Sequence, residues 1–225
     1  MPGRLLIVAT PIGNLQDMSE RAKSALLGAD KILCEDTRVT ARLLHAYGIK
    51  VPLVSYHQHS SLLREKEIIE WLREGKTLAL VTDAGTPGIS DPGGKLVQSV
   101  LRALGSSVEI IPLPGACAAV TALSVSGFPA DHFVFLGFPP QKNGRKAYFA
   151  NIADHKETVV CYESTHRIVK TLQELGASIG DRPLMVAREL TKMHETLYRG
   201  TAPEILAQLS TTSMKGEFVI VIAPA

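Results

Sequence analysis

What this sequence lacks narrows its class first. It has three cysteines, Cys34, Cys117 and Cys161, far apart and odd in number. They make neither a disulfide framework nor a zinc-binding spacing. They suit a reducing compartment, so a cytoplasmic location is expected. No apolar run approaches the ~18 residues that a membrane-spanning helix needs, so no membrane is expected as a partner. The opening Met1-Pro-Gly-Arg4 leads straight into an apolar strand, without the pattern of a signal peptide. Neither sign of charge dominates: a net +2 permits a nucleic-acid partner without arguing for one. Internal repeats and low-complexity stretches are absent. No G-x-G-x-x-G follows the first strand, which argues against an ordinary dinucleotide site, and Gly75-Lys-Thr77 lacks the upstream glycine of a phosphate-binding loop.

What is present is a globular α/β pattern. With 225 residues, 45% of them hydrophobic, the chain can bury the cores of one large or two small domains. One stretch organises it. The apolar run Leu78–Val81 reads as a buried parallel strand that delivers Asp83 to a sheet end. The loop that follows holds Gly85, Gly88, Gly93 and Gly94 with Pro87 and Pro92, so backbone can come close to a ligand there. In open α/β sheets, ligands bind at the carboxyl ends of strands.

Around it, strands are expected at 4–10, 31–34, 53–57 and 108–111, and helices at 21–27, 40–47, 62–72 and 96–104. Asp17 and Glu20 have capping-box spacing before the first helix. Alternation of this kind means βαβ units and a mostly parallel sheet. Pro112-Leu-Pro-Gly115 reads as a stiff turn, giving an α/β domain over 1–112 and a second, with a mixed sheet, over 113–225. In the latter, a small-residue helix is expected over 116–126, strands at 133–136, 158–161, 184–187 and 218–222, helices at 168–175 and 204–209, and an exposed basic loop at 139–146.

Candidate chemistry gathers at the strand ends. Gly176-Ala-Ser-Ile-Gly180 matches G-x-S-x-G, but it precedes a strand, whereas a nucleophile elbow needs strand then helix. His57 and His59 could bind a metal, and a substrate contact is the better reading. The other clusters are Glu35-Asp-Thr-Arg38, Asp83 with its loop, Tyr162-Glu163 and Arg188 to Glu195.

Taken together, Ala9-Thr-Pro-Ile-Gly-Asn-Leu15, Glu35-Asp-Thr-Arg38, Thr82-Asp-Ala-Gly-Thr-Pro87, Asp91-Pro-Gly93 and Pro112-Leu-Pro-Gly-Ala-Cys-Ala118 form a specific series. It continues with Tyr162-Glu-Ser-Thr-His-Arg167, Arg188-Glu-Leu-Thr-Lys192, Glu195 and Lys215-Gly-Glu217. The chain resembles the tetrapyrrole-methylase-like (class III) superfamily of S-adenosylmethionine-dependent methyltransferases, and within it the small-subunit rRNA cytidine 2′-O-methyltransferases. It departs from them in ending after its last strand, where many members carry a further helical segment, and in lacking Asn-Glu after His59. The resemblance implies two α/β domains of the tetrapyrrole methylase type with a cofactor cleft between them, a homodimer, and methylation near the decoding centre of 16S rRNA or of the assembled small subunit, with no DNA partner. It implies cofactor contacts at Ile12, Asp83, Thr86, Cys117, Ala118, Tyr162, Leu190 and Thr191. Substrate contacts are expected at Arg38, His57, His59, Arg188 and Lys192.

The chemistry needs no metal. It needs a positioned nucleophile, and a base or oxyanion stabiliser helps a weakly acidic hydroxyl. Asp36, Glu189 and Glu195 are the candidate bases, each alternatively a structural ion pair. A tetrapyrrole or other small-molecule acceptor, and a non-catalytic RNA-binding protein, remain rival readings. Lys142, Arg145, Lys146, Arg188 and Lys192 favour a phosphate backbone over an apolar groove.

Overall fold

The computed structural model describes residues 2–57, 60–91 and 93–225. The chain divides into two compact units, Met1–Cys117 and Ala118–Ala225. In the first, strands β1 (Gly3–Val8), β2 (Lys31–Cys34), β3 (Leu53–Ser55), β4 (Thr77–Leu80) and β5 (Val108–Leu113) alternate with helices α1 (Glu20–Leu27), α2 (Thr37–Ala46), α3 (Leu62–Arg73) and α4 (Gly93–Leu104). The sheet order is β3-β2-β4-β1-β5, and each of these neighbouring pairs is parallel.

Strand alternation sorts the apolar runs between two faces. Leu6, Val8, Ile32, Cys34, Ala79 and Val81 pack with Met18, Ala22, Leu26 and Leu44, which come from α1, α2 and the turn before them. Leu5, Leu33, Leu78 and Leu80 pack with Ile68, Leu72, Leu96 and Val100 of α3 and α4. The crossovers after β1 and β4 therefore run over opposite faces.

The second unit comprises α5 (Ala118–Ser124), β6 (Phe133–Phe135), α6 (Arg145–Asp154), β7 (Thr158–Ser164), α7 (Ile168–Ile179), β8 (Leu184–Arg188), β9 (Thr196–Gly200), α8 (Ala202–Ser210) and β10 (Glu217–Ile222). Its sheet is mixed, in the order β6-β7-β10-β8-β9, with β6 parallel to β7 and the remaining neighbours antiparallel. The main core lies between one face of this sheet and α6, α7 and α8. On the other face α5 packs against β7 and β10, and its buried Ala119 and Ala122 permit a close approach.

Several details differ from the expectations. The stretch at 112–115, expected as a stiff turn, begins inside β5: Pro112 and Leu113 pair with Ile7 and Val8 of β1, and the first compact unit runs to Cys117. Proline is tolerated there because β5 is an edge strand. Ser19, not Asp17, caps α1 by accepting from the Ala22 N–H, and Asp17 closes a 3-10 turn. The small-residue helix is shorter, Ala118–Ser124. The basic loop at 139–146 is only partly exposed: Arg145 is buried at 7% and begins α6. Helix α6 and strand β9 carry weak patterns that the sequence reading passed over.

Candidate functional site

In the first unit, parallel pairing puts all five strand ends on one edge. β1 and β4 are neighbours whose connections depart in opposite directions, the switch point at which such sheets bind ligands. The loops after them are tied together there. Thr10 N–H donates to the Gly85 carbonyl at 2.9 Å, Gly85 N–H returns a bond at 3.1 Å, and the Thr10 hydroxyl reaches the Thr82 carbonyl at 3.1 Å. Gly85 has φ +91°, a conformation that glycine adopts without strain; an added Cβ would stand 3.4 Å from Cγ2 of Ile12. The Thr86 hydroxyl donates to the Ala116 carbonyl at 3.0 Å, joining the loop after β4 to the one after β5. Asp83 Oδ1 accepts the Asp36 N–H at 3.3 Å. Ile12, Asp83, Thr86 and Cys117 therefore belong to loops leaving one sheet edge.

Beyond the ends of β2, β3 and β4 lies an open cavity of about 510 Å³ lined by Glu35, Asp36, Arg38, Ser55, His57 and Asp83, among others. Its lining is mostly polar and carries both signs of charge. Asp36 caps α2: its Oδ1 accepts the Arg38 N–H at 2.8 Å, while Arg38 Nε and Nη2 grip the two carboxylate oxygens at 3.1 and 2.7 Å. These hydrogen bonds hold the Asp36 carboxyl well below the usual carboxylate range. The Arg38 side chain stays 87% exposed and presents its remaining donors to solvent. His59, the other expected histidine, lies outside the described residues.

Next to this cavity is a void of about 10 Å³, close to the size of one water, touched by Glu35, Tyr56, Thr82 and Asp91. Burial pushes the Asp91 carboxyl up. A Thr82 hydrogen bond opposes the shift, and the charges of Glu35 and Asp83 add to it. Burial, with Glu65 beside it, pushes the Tyr56 hydroxyl up to about 12.

In the second unit β7 and β8 both flank β10 antiparallel, so their carboxyl ends share an edge with the amino end of β10. The Tyr162 hydroxyl accepts the Ala119 N–H at 3.1 Å, one of the amides that a helix leaves unsatisfied at its start. Its ring stands edge-on to Phe135 and Phe138, with centroids 4.9 and 5.4 Å away. Tyr162 is thereby brought beside the start of α5, where Ala118 lies.

After β8 the backbone turns through two left-handed non-glycine residues, Glu189 (φ +52°) and Thr191 (φ +64°), an arrangement that must be held by its surroundings. The holding bonds are evident. Arg188, buried at 8%, donates to the carbonyls of Lys215 (2.7 Å) and His194 (3.1 Å). Glu189 Oε1 accepts from the Glu217 N–H and from Lys192 Nζ, both at 2.9 Å. Lys192 also meets Glu217 Oε2 at 3.0 Å, and Glu195 Oε2 accepts the Thr191 N–H at 2.6 Å. Burial works to raise the Glu189 carboxyl, but the Glu217 N–H and Lys192 outweigh it and hold the group below its ordinary range. Leu190 is buried at 8%, and the Thr191 hydroxyl is buried without a hydrogen-bond partner.

So the structure brings Asp36, Arg38, His57 and Asp83 onto one cavity, and gathers Arg188, Glu189, Leu190, Thr191, Lys192 and Glu195 into one loop of the other unit. Among the described residues, no group of three or more His, Cys, Asp or Glu could hold a metal ion, and no helix is long and apolar enough to cross a membrane. Glu35 and Asp91 stand in the sequence motifs but received no individual role there, and Ser55 and Tyr56 were read only as part of the third strand. Glu35 had a usable signal: it follows Leu33 by two, and Leu33 lies on the α3/α4 face with Tyr56 and Leu80.

Comparison with known proteins gives consistent matches. The family described as tetrapyrrole (corrin/porphyrin) methylases matches residues 4–206. A relative from Synechocystis sp. named ribosomal RNA small subunit methyltransferase I is 46% identical over 225 residues, covering 99% of this chain and 80% of the relative. One of the same name from Thermotoga maritima is 41% identical over 221 residues, 98% of each. Among solved structures, diphthine synthase superposes with a TM-score of 0.73 over 98% of this chain and 90% of its own, at 14% identity, a likeness of fold alone.

Proposed function

The chain belongs to the tetrapyrrole (corrin/porphyrin) methylase family, and from that premise we propose that it is an S-adenosylmethionine-dependent methyltransferase of small-subunit ribosomal RNA, acting on the ribose 2′-hydroxyl of a cytidine near the decoding centre. The observation that carries this reading is identity of 46% and 41%, across essentially the whole chain, to relatives bearing the small-subunit rRNA methyltransferase name. The polar cavity supports it over a tetrapyrrole acceptor, since a flat macrocycle calls for an apolar groove. An exposed guanidinium at Arg38 suits an RNA phosphate. His57, Arg188 and Lys192 are proposed beside it as substrate contacts, although Arg188 and Lys192 already carry structural bonds.

S-adenosylmethionine supplies an electrophilic methyl group on a sulfonium centre. Residues proposed to hold it are Ile12, Asp83, Thr86 and Cys117 in the first unit and Ala118, Tyr162, Leu190 and Thr191 in the second. Two features fit such a ligand. The buried Thr191 hydroxyl has no hydrogen-bond partner among the described residues, and a ligand's polar group would provide one. Gly85 keeps side-chain atoms away from the switch point, where Asp83 can accept hydrogen bonds from an ammonium or hydroxyl. The proposal includes a cytoplasmic location and a homodimer; sedimentation of the purified protein checks the latter.

The deciding experiment is transfer of labelled methyl from S-adenosylmethionine to purified small ribosomal subunits and to free rRNA, with the modified nucleoside identified. A 2′-O-methylcytidine product is expected. Cofactor binding without transfer to either RNA would move the reading to a small-molecule acceptor. No cofactor binding would leave an RNA-binding role.

A further inference from the structure

Three carboxylates, Glu35, Asp36 and Asp83, line the cavity at the ends of β2, β3 and β4, and they are not equivalent. Asp36 is engaged by three hydrogen bonds from Arg38 and is held well below the usual carboxylate range. Asp83 accepts the Asp36 N–H. Glu35 makes no hydrogen bond or ion pair with any described residue, so both its oxygens are available. It is also the carboxylate that borders both the large cavity and the water-sized void, with Asp91 on the void's lining. In the second unit the other candidate bases are committed: Glu189 to Glu217 and Lys192, and Glu195 to the Thr191 N–H.

We propose that Glu35 is the general base of the methyl transfer, taking the proton of an acceptor hydroxyl that enters the cavity at the ends of β2, β3 and β4. This rests on the methyltransferase reading above and deepens it by one residue. The hydroxyl oxygen bonds to the methyl carbon as the carbon–sulfur bond breaks. The pair of electrons stays on sulfur, which becomes a neutral thioether, and the hydroxyl proton passes to the Glu35 carboxylate. No oxidant, reductant or further reactant is needed. The charged and titratable groups facing Glu35 are Asp36 and Arg38 at the start of α2, His57 after β3, and Asp83 and Asp91 after β4, with Tyr56 across the void. Arg38 is the nearby cation that offsets this negative charge, and its pairing with Asp36 keeps it off Glu35.

The test uses the full chain and its E35Q and E35D variants. Single-turnover transfer to small ribosomal subunits is followed across pH 5 to 9. Calorimetric binding of S-adenosylmethionine and filter retention of subunits are measured alongside. For E35Q we expect a fall in the transfer rate of about 10²- to 10⁴-fold, with both binding constants within about threefold of wild type. E35D should restore part of the rate. A rate for E35Q within threefold of wild type would overturn the role, as would a loss that appears only as weaker subunit binding. A wild-type protein that binds the cofactor and transfers nothing to subunits or rRNA overturns the reading beneath it, a result distinct from an active wild type with an equally active E35Q.

Discussion

The two units place acidic residues at strand ends in the same way and use them differently. In the first, all five strands are parallel, and their loops meet on one edge. Carboxylates accumulate there, Glu35 is left without a hydrogen-bond partner among the described residues, and Asp91 is pushed up by burial and by its neighbours' charges. In the second, β10 runs antiparallel between β7 and β8 and brings its own leading segment into the edge. The Glu217 amide, the Lys215 carbonyl and the Gly216 carbonyl then answer Glu189, Arg188 and Thr165. In the second unit the antiparallel β10 thus supplies backbone partners to the strand-end groups, whereas in the first the start of α2 supplies them to Asp36 and not to Glu35.

The sharpest way to break that contrast is to remove one carboxylate from each unit and compare stability. The Glu163 side chain is wholly buried and accepts from Ser164 N–H (2.7 Å), Thr171 Oγ1 (2.6 Å) and Arg167 Nε (2.9 Å). Thr171 Oγ1 in turn accepts from buried Arg145 at 2.7 Å. Deleting one partner of a buried charge pair strands the other, so Glu163→Ala is expected to cost about 3–5 kcal/mol. Glu35→Ala removes an exposed, unpaired group and is expected to stay within about 0.5 kcal/mol of wild type. Urea unfolding midpoints read both. Equal losses would mean that the first unit's edge is as tightly bonded as the second's.

A smaller effect tests the cofactor contacts on each side. Asp83→Ala removes a charged acceptor, and such bonds contribute about 1.5–3 kcal/mol, so cofactor affinity should fall about 10- to 150-fold. Thr191→Val replaces a neutral hydroxyl, for which about 0.5–1.5 kcal/mol, or roughly 2- to 13-fold, is expected. Calorimetry with S-adenosylmethionine measures each, with circular dichroism confirming the fold. Wild-type affinity in Asp83→Ala would remove the loop after β4 from the cofactor site.

The sequence made the first unit legible because its strands are apolar on both faces, and Leu78–Val81 could hardly be anything but a central strand. Asp83 and its glycines could be read for the same reason: a carboxylate directly past a buried strand has one place to go. The second unit was harder. β9 is a short edge strand, and α6 buries little more than Arg145, Phe149 and Ile152, with an arginine where a hydrophobe would have signalled the core. Partner choice was not legible at all. Glu35 and Asp36 are adjacent in sequence and chemically alike, and only the cap geometry of α2, which gives Arg38 to Asp36, separates the free one from the bound one.

The smallest effects sharpen the comparison through pH, because the two units contain carboxyls shifted in opposite directions. Glu189 is held below its ordinary range in the folded state, so it adds stability above the usual glutamate range, and that contribution is lost as pH falls through it. Its pairing with Lys192 is partly exposed, so Glu189→Gln should cost about 0.2–1 kcal/mol at pH 7, and the cost should vanish near pH 3. Asp91 is shifted upward, so the folded state holds its proton longer than the unfolded chain does. Charging it at neutral pH works against folding, and stability falls as pH rises through its titration. Asp91→Asn keeps the shape and the Thr82 contact while removing the charge, so it should stabilise the protein slightly at pH 7 and lose that advantage in acid. Thermal melts of the two variants at pH 3 and pH 7 should therefore move apart in opposite directions from wild type as pH rises. A destabilising Asp91→Asn at pH 7 would mean that the edge of the first unit stabilises the Asp91 charge by more than its Thr82 bond, and the distinction between an open edge and a bonded one would fail at that residue.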